Sequence, residues 1–154
     1  MILAALILIT SAALLVFYLQ TLCERIVRRE FKHPYYKLIA NTNGLEFPAV
    51  RAALEGNGQG VRYERLRLAL GCDYRALTYL LHKVEAPATS RSSFEEHLLS
   101  LYCHLLFFAM TLRHFLRLQV KPSALKLAIT LEYFANVVGH RIEVARASDL
   151  TISV

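Results

Sequence analysis

The hydrophobic pattern of the chain begins with an unbroken run. From Ile2 to Leu19 only Thr10, Ser11 and Tyr18 carry a polar group, and no side chain is charged. At about 1.5 Å of rise per residue, a helix over these eighteen residues spans about 27 Å, close to the hydrocarbon thickness of a bilayer. The run therefore predicts a transmembrane anchor over residues 1–20. A cleaved signal peptide is the competing reading, because Ser11, Ala12 and Ala13 are small residues following an apolar stretch. Two features oppose it: no Lys or Arg precedes the run, and Arg25, Arg28, Arg29 and Lys32 crowd its C-terminal side. By the positive-inside rule the same asymmetry puts the N-terminus outside and the remainder of the chain in the cytoplasm.

Past the anchor the pattern becomes helical with polar faces. Residues 21–33 keep strong helix formers and predict a basic juxtamembrane continuation of the same helix. There Arg25, Arg28, Arg29 and Lys32 can lie at lipid phosphates as membrane-surface residues. His33-Pro34 ends this helix, because the residue before a proline is pushed out of the α region. Residues 34–140 read as one helical domain and 141–154 as a C-terminal tail.

Within the domain, Tyr35 to Ala40 is expected to be a short helix, followed by a turn at Asn41-Thr42-Asn43-Gly44. A second helix runs from Pro48 to about Glu55, with proline in the first turn where its missing N–H is harmless. Ser92 and Ser93, three residues before Glu95 and Glu96, form a capping-box signature for a helix from Phe94 to about Leu118. Its middle, Leu98 to Leu112, is apolar almost all round, which predicts the buried central helix of a bundle, with a second membrane element as the alternative. Lys121-Pro122-Ser123 is expected to be a turn with Ser123 as N-cap. The last long helix then covers Ala124 to Val138, with Leu127, Leu131, Phe134 and Val138 on its core face and Gly139 as its stop. From His140 the weak alternation is compatible with a strand, an extended arm or disorder. The fold class is thus all-α: a single N-terminal transmembrane helix followed by a small cytoplasmic helical bundle.

Between these elements, Arg62 to Val84 has leucines at helical spacing interrupted by Gly71-Cys72-Asp73, with Asp73 suited to cap a second helix. Two short helices joined by a glycine turn are the helix-turn-helix arrangement. The segment RLRLALGCDYRALTYLLHKVE resembles the helix-turn-helix of winged-helix regulators of the MarR type, where a Leu-Gly turn precedes the helix that reads DNA. That resemblance implies Tyr74, Arg75, Thr78 and Tyr79 as DNA contacts. The sequence departs from the pattern in having no β-hairpin wing, since Glu85 to Ser92 reads as a loop into the next helix.

Composition narrows the chemistry. About 120–130 residues remain after the anchor, which suits one compact domain. The net charge of +6 and the pI near 9.4 arise outside the anchor and favour anionic lipid headgroups or nucleic acid as partners; with an anchor present, membrane lipid is the simpler of the two. Cys23, Cys72 and Cys103 are odd in number and widely spaced, which indicates reduced thiols and neither a disulfide framework nor a zinc pattern. Cys23 falls at the membrane boundary, where acylation is the alternative to a plain interfacial thiol. The glycine-rich stretch Gly56 to Gly60 lacks the Lys-Ser or Lys-Thr of a phosphate loop and reads as a flexible connection. Ser93, His97, Ser100, His104 and Thr111 share one stripe of the long helix. His97 and His104 are about 10.5 Å apart along the axis, too far to chelate one ion between them, so the stripe reads as a water-facing or hydrogen-bonded seam. No catalytic, cofactor or metal residues emerge. The expectation is a non-enzymatic accessory subunit, scaffold or tether for another membrane or cytoplasmic protein, with a membrane-tethered DNA-binding regulator as the second reading.

The charge asymmetry yields the first test. An impermeant maleimide added to intact cells is expected to leave Cys72 and Cys103 unmodified until the membrane is opened. Labelling of either without permeabilisation overturns the orientation.

Overall fold

In the computed structural model the described residues are 1–29, 31, 33–56, 62–84 and 90–152, with backbone alone described at 90–93 and 148–152. They form six α-helices: α1 (Ile2–Val27), α2 (Tyr36–Asn43), α3 (Phe47–Glu55), α4 (Tyr63–Lys83), α5 (Ser90–Phe115) and α6 (Lys121–Ile152). No strand occurs among the described residues, so the all-α class holds.

The centre of the bundle is α6, which packs against α2, α3, α4 and α5 and more lightly against α1. Its burial explains this position: Ala124, Leu127, Ala128, Leu131, Tyr133, Phe134, Ala135 and Val138 are all buried, including the four positions expected to face the core. Leu98 to Leu112 is therefore not the central helix. Leu101, Phe108 and Leu112 of α5 are exposed while Leu99, Cys103, Leu106 and Met110 are buried. An apolar composition on all sides does not establish burial on all sides, and α5 covers one flank of α6.

Gly139 does not stop the last helix, which continues to Ile152 through most of the expected tail. The glycine serves a close approach instead. A Cβ placed there would lie 2.3 Å from Tyr35 Cβ, at the point where the chain enters α2. Ser123 likewise lies inside α6, since the backbone N–H groups of Ser123 and Ala124 both donate to Val120 O, at 3.1 Å. A backbone carbonyl thus takes the role expected of the serine side chain.

The glycine turn expected in the middle of α4 is absent: Tyr63–Lys83 is one uninterrupted helix, and Gly71 lies within it. A lone glycine weakens a helix by only about 1 kcal/mol, which the buried Leu66, Leu70, Leu77 and Leu81 on one face outweigh. Asp73 caps a different helix. Its Oδ2 accepts the Phe47 backbone N–H at 2.6 Å, at the start of α3. Asn136 of α6 does the same for α2, its Oδ1 accepting the Tyr36 N–H at 2.8 Å. Both short helices have their first turns satisfied from other helices, and neither carries a side-chain cap of its own.

Smaller departures have local causes. Helix α2 absorbs the expected Asn41–Asn43 turn, because Thr42 and Asn43 bond back to Leu38 O and Ile39 O, and the reversal falls on Gly44 at φ 63°. Helix α1 ends at Val27, six residues before His33; the Arg29 N–H donates to Ile26 O, tightening the last turn. Helix α5 starts at Ser90, so Ser92 and Ser93 lie within its first turn; serine carries no barrier there, and each added residue gains a backbone bond. It ends at Phe115, because Leu118 N–H donates to Arg113 O at 2.8 Å and Arg117 N–H to His114 O at 3.1 Å. That is the Schellman closure, with Arg117 in the left-handed region at φ 55°. The expected loop segments 57–60 and 85–89, like Lys32, lie outside the described residues.

Two substitutions test this architecture. Gly139→Ala is expected to lower the unfolding free energy of the full chain by about 1–3 kcal/mol, because the new methyl meets Tyr35 Cβ. In a Tyr35→Gly background that loss should shrink; equal losses in both backgrounds would separate the two residues. Asp73→Ala is expected to remove about 1–2 kcal/mol, since it orphans the first turn of α3. Burial pushes the Asp73 carboxyl above its usual range, against the lowering effect of the Glu46 and Phe47 N–H groups. A group with a raised folded pKa contributes most below its unfolded value, about 3.9, and loses that contribution as the pH rises through the folded value. The stability of wild type relative to Asp73→Asn, which keeps an acceptor but does not titrate, should therefore fall as denaturation is repeated from acid toward neutral pH. A rise would mean that the N–H bonds outweigh burial.

Candidate membrane-facing site

Helix α1 divides into two parts with different surroundings. Met1 to Tyr18 is exposed throughout, whereas Cys23 and Ile26 are buried in the bundle core. An apolar 18-residue window of this helix, of mean hydropathy 2.6, has 0% of its residues buried. A second helix segment, Phe94–Phe115, is also long and apolar enough to cross a membrane, with mean hydropathy 1.3 and 28% of its window buried.

The base of α1 is tied to the bundle by charge as well as by packing. Lys126 Nζ of α6 lies 2.6 Å from Glu24 Oε1, and Arg29 Nη1 lies 3.2 Å from Glu95 Oε1 of α5. The Lys126 ammonium holds the Glu24 carboxyl below its usual range, outweighing the opposing effect of burial. Of the expected membrane-surface residues, Arg25, Arg28 and Arg29 are exposed, and Lys32 lies outside the described residues. Arg29 is committed to α5, Arg28 borders a crevice beside Lys126, and Arg25 faces outward.

Two crevices adjoin this junction. One, of about 210 Å³, lies among α1, α5 and α6 and is lined by Val16, Gln20, Leu105, Arg113 and Lys126. The other, of about 260 Å³, is bordered by Glu24, Arg28, Ile129 and Lys126. Tyr102 of α5 lines both. It is 4% exposed, and its hydroxyl is fully buried with no hydrogen-bond partner among the described residues. Neither crevice was legible in the sequence, because their walls come from three helices far apart in the chain.

On another side, α4 and α5 face one another across a groove of about 580 Å³ lined by Tyr63, Arg67, Leu68, Arg75, His104 and Phe107. The polar seam of α5 opens here. Tyr74 Oη and Ser100 Oγ are 2.6 Å apart, Tyr63 Oη donates to Thr111 Oγ1 at 3.1 Å, and His104 Nδ1–H donates to Ser100 O at 2.8 Å. His97 is exposed, and the Ser93 side chain lies outside the described residues. At Ser100, His104 and Thr111 the stripe is hydrogen-bonded, one of the two alternatives that the sequence left open. Among the described residues no three His, Cys, Asp or Glu side chains group closely enough to hold a metal ion.

Of the four residues implied as DNA contacts, Arg75 and Tyr79 are exposed, whereas Tyr74 and Thr78 are half-buried. Tyr74 is turned to Ser100, and Thr78 donates to Tyr74 O at 2.8 Å. Cys23 and Cys103 are completely buried, which removes Cys23 from the boundary surface and leaves exposed Cys72 as the reporter for the labelling measurement. Compared with known protein families, with curated proteins and with solved structures, the chain finds no match.

Proposed function

We propose that this protein is a single-pass, non-enzymatic membrane protein whose helical bundle acts at the cytoplasmic face as an accessory subunit, scaffold or tether for another protein. The observation that carries the reading is the uncovered apolar length of α1. Soluble proteins seldom expose apolar patches beyond a few hundred Å², and eighteen consecutive uncovered residues of mean hydropathy 2.6 call for a hydrocarbon environment. The buried Cys23 and Ile26 and the Glu24–Lys126 pair make the end of this helix part of the bundle, which favours a retained anchor over a cleaved leader. Arg25, Arg28 and Arg29 directly after the apolar run favour the cytoplasmic orientation.

Helix α5 is assigned to the bundle and not to a second span. Its Ser100, His104 and Thr111 are bonded on the α4 side, and Glu96 is paired with Arg141 of α6. The scaffold reading draws on how the interior polar groups are used: Asp73 and Asn136 cap helices, and Arg141 bridges Glu96 and the Leu81 carbonyl. The tethered DNA-binding reading loses its motif, because α4 has no turn at Gly71.

The full chain is expected to remain in the membrane pellet through high salt and alkaline carbonate, and a variant lacking residues 2–19 to leave it. Release of the full chain by carbonate sinks the anchor. A second polypeptide is expected to copurify from mildly solubilised native membranes; a chain that elutes alone sinks the tether.

A further inference from the structure

The corner where α5 gives way to α6 is not composed like a reversal that meets water. Residues 115–120 read Phe-Leu-Arg-Leu-Gln-Val, with no glycine, proline, asparagine, aspartate or serine among them. Phe115 is 82% exposed, and Leu116 and Leu118 are more than half exposed. Phe108 and Leu112, at helical spacing from Phe115, add two exposed apolar side chains on the same face of α5.

The place of this corner along α1 is an independent observation. Arg29 pairs with Glu95, the Cys23 thiol meets Leu98 O at 3.9 Å, and Val16 and Gln20 share a crevice with Ala109 and Arg113. Helix α5 therefore runs antiparallel to α1, toward the apolar run. The other limb starts at the same level, since Pro122 and Ser123 of α6 border that crevice too. Val16 lies inside the apolar run, which ends at Leu19. Phe115 is six residues past Ala109, about 9 Å further along α5. Under the membrane reading proposed above, on which this inference rests, the corner passes the border between headgroups and hydrocarbon.

Charge and backbone bonding suit that depth. No Asp or Glu lies between Glu96 and Glu132 in the chain, so Arg113, Arg117 and Lys121 flank the apolar side chains in a stretch free of carboxylates. Long cationic side chains can lay their stems on apolar surface and keep their charge at lipid phosphates. The N–H groups of Leu116, Arg117 and Leu118 donate to the carbonyls of Leu112, His114 and Arg113, the Arg113 side chain donates to Gln119 O, and Val120 O accepts from Ser123 and Ala124. Backbone groups paired within the chain lose little on leaving water. We propose that the α5–α6 corner, Phe115 to Leu118, inserts into the bilayer that holds α1, with its apolar side chains about 5–10 Å deep at the boundary of headgroups and acyl chains. The bundle then meets the membrane at two places and lies against its surface.

The test uses the full chain in liposomes of phosphatidylcholine and phosphatidylglycerol, with Cys72→Ser removing the exposed thiol. A thiol-reactive fluorophore is placed at Phe115→Cys or at Leu118→Cys, two exposed positions, so that either variant suffices if the other fails to fold. Leu38→Cys is the aqueous reference: it is exposed on α2, whose start is bonded to Asn136, 15 residues along α6 from Lys121. Leu8→Cys, exposed within the apolar run, is the membrane reference. At the corner the emission is expected to shift to the blue of Leu38, to be quenched by lipids spin-labelled near the headgroup, and to lose iodide quenching at least about threefold relative to Leu38. Iodide quenching at the corner equal to that at Leu38, with Leu8 quenched by lipid, overturns this inference and leaves the anchor standing. Shielding of the corner from both iodide and lipid quenchers overturns the bilayer as its occupant in favour of protein. A Leu8 probe open to iodide overturns the membrane reading, and this inference with it.

Discussion

Close packing against α6 is the constraint on which the rest of the bundle depends. Five helices share this one partner, α1 more lightly than the rest, and a single helix can accept so many neighbours only where its side chains are small enough for close approach. Ala124, Ala128, Ala135 and Gly139 provide that room, and Gly139 is the limiting case because the Tyr35 side chain occupies the space of its missing Cβ. The large residues between them, Leu127, Leu131, Phe134 and Val138, fill the spaces left between the surrounding helices.

The two shortest helices are the most dependent on this arrangement. With 8 and 9 residues, α2 and α3 are too short to persist alone in water. Each is held by apolar contact with α6 and by an N-terminal hydrogen bond from another helix, Asn136 for α2 and Asp73 for α3. The buried polar residues of the bundle thus fix where short helices begin. On the outer side, Arg51 reaches both Glu55 of its own helix and Glu132 of α6, adding a charged tie to the same junction.

The junction of α1 with the bundle sets how the apolar run is placed relative to the rest of the helices. Individually, part-exposed pairs such as Arg29–Glu95 and Lys126–Glu24 contribute on the order of 1 kcal/mol or less. Together with the buried Cys23 and Ile26 they make the last two turns of α1 part of the core. Parts of α5 and the start of α6 thus lie beside the end of the apolar run, next to Val16 and Gln20. The Tyr102 crevice and the α4–α5 groove lie on different sides, one beside α1 and the other along the flank where Arg67 and Arg75 lie.

Some of this was legible in the chain alone. The uniform apolar run of α1, the 3.6-residue spacing of Leu127, Leu131, Phe134 and Val138, and proline in the first turn of α3 are local signals, and each describes an element that forms. Glycine and the capping residues misled for a common reason: their meaning depends on what faces them. Gly71 is tolerated within α4 by the leucine face around it, Gly139 makes room for Tyr35, and Asp73 caps a helix 26 residues away in the chain. Tertiary structure also decided which long apolar helix is central, because composition measures how much surface an element can bury and only its neighbours determine how much is buried. The Tyr102 hydroxyl belongs to the same class, since its burial without a hydrogen-bond partner among the described residues follows only from how the helices pack.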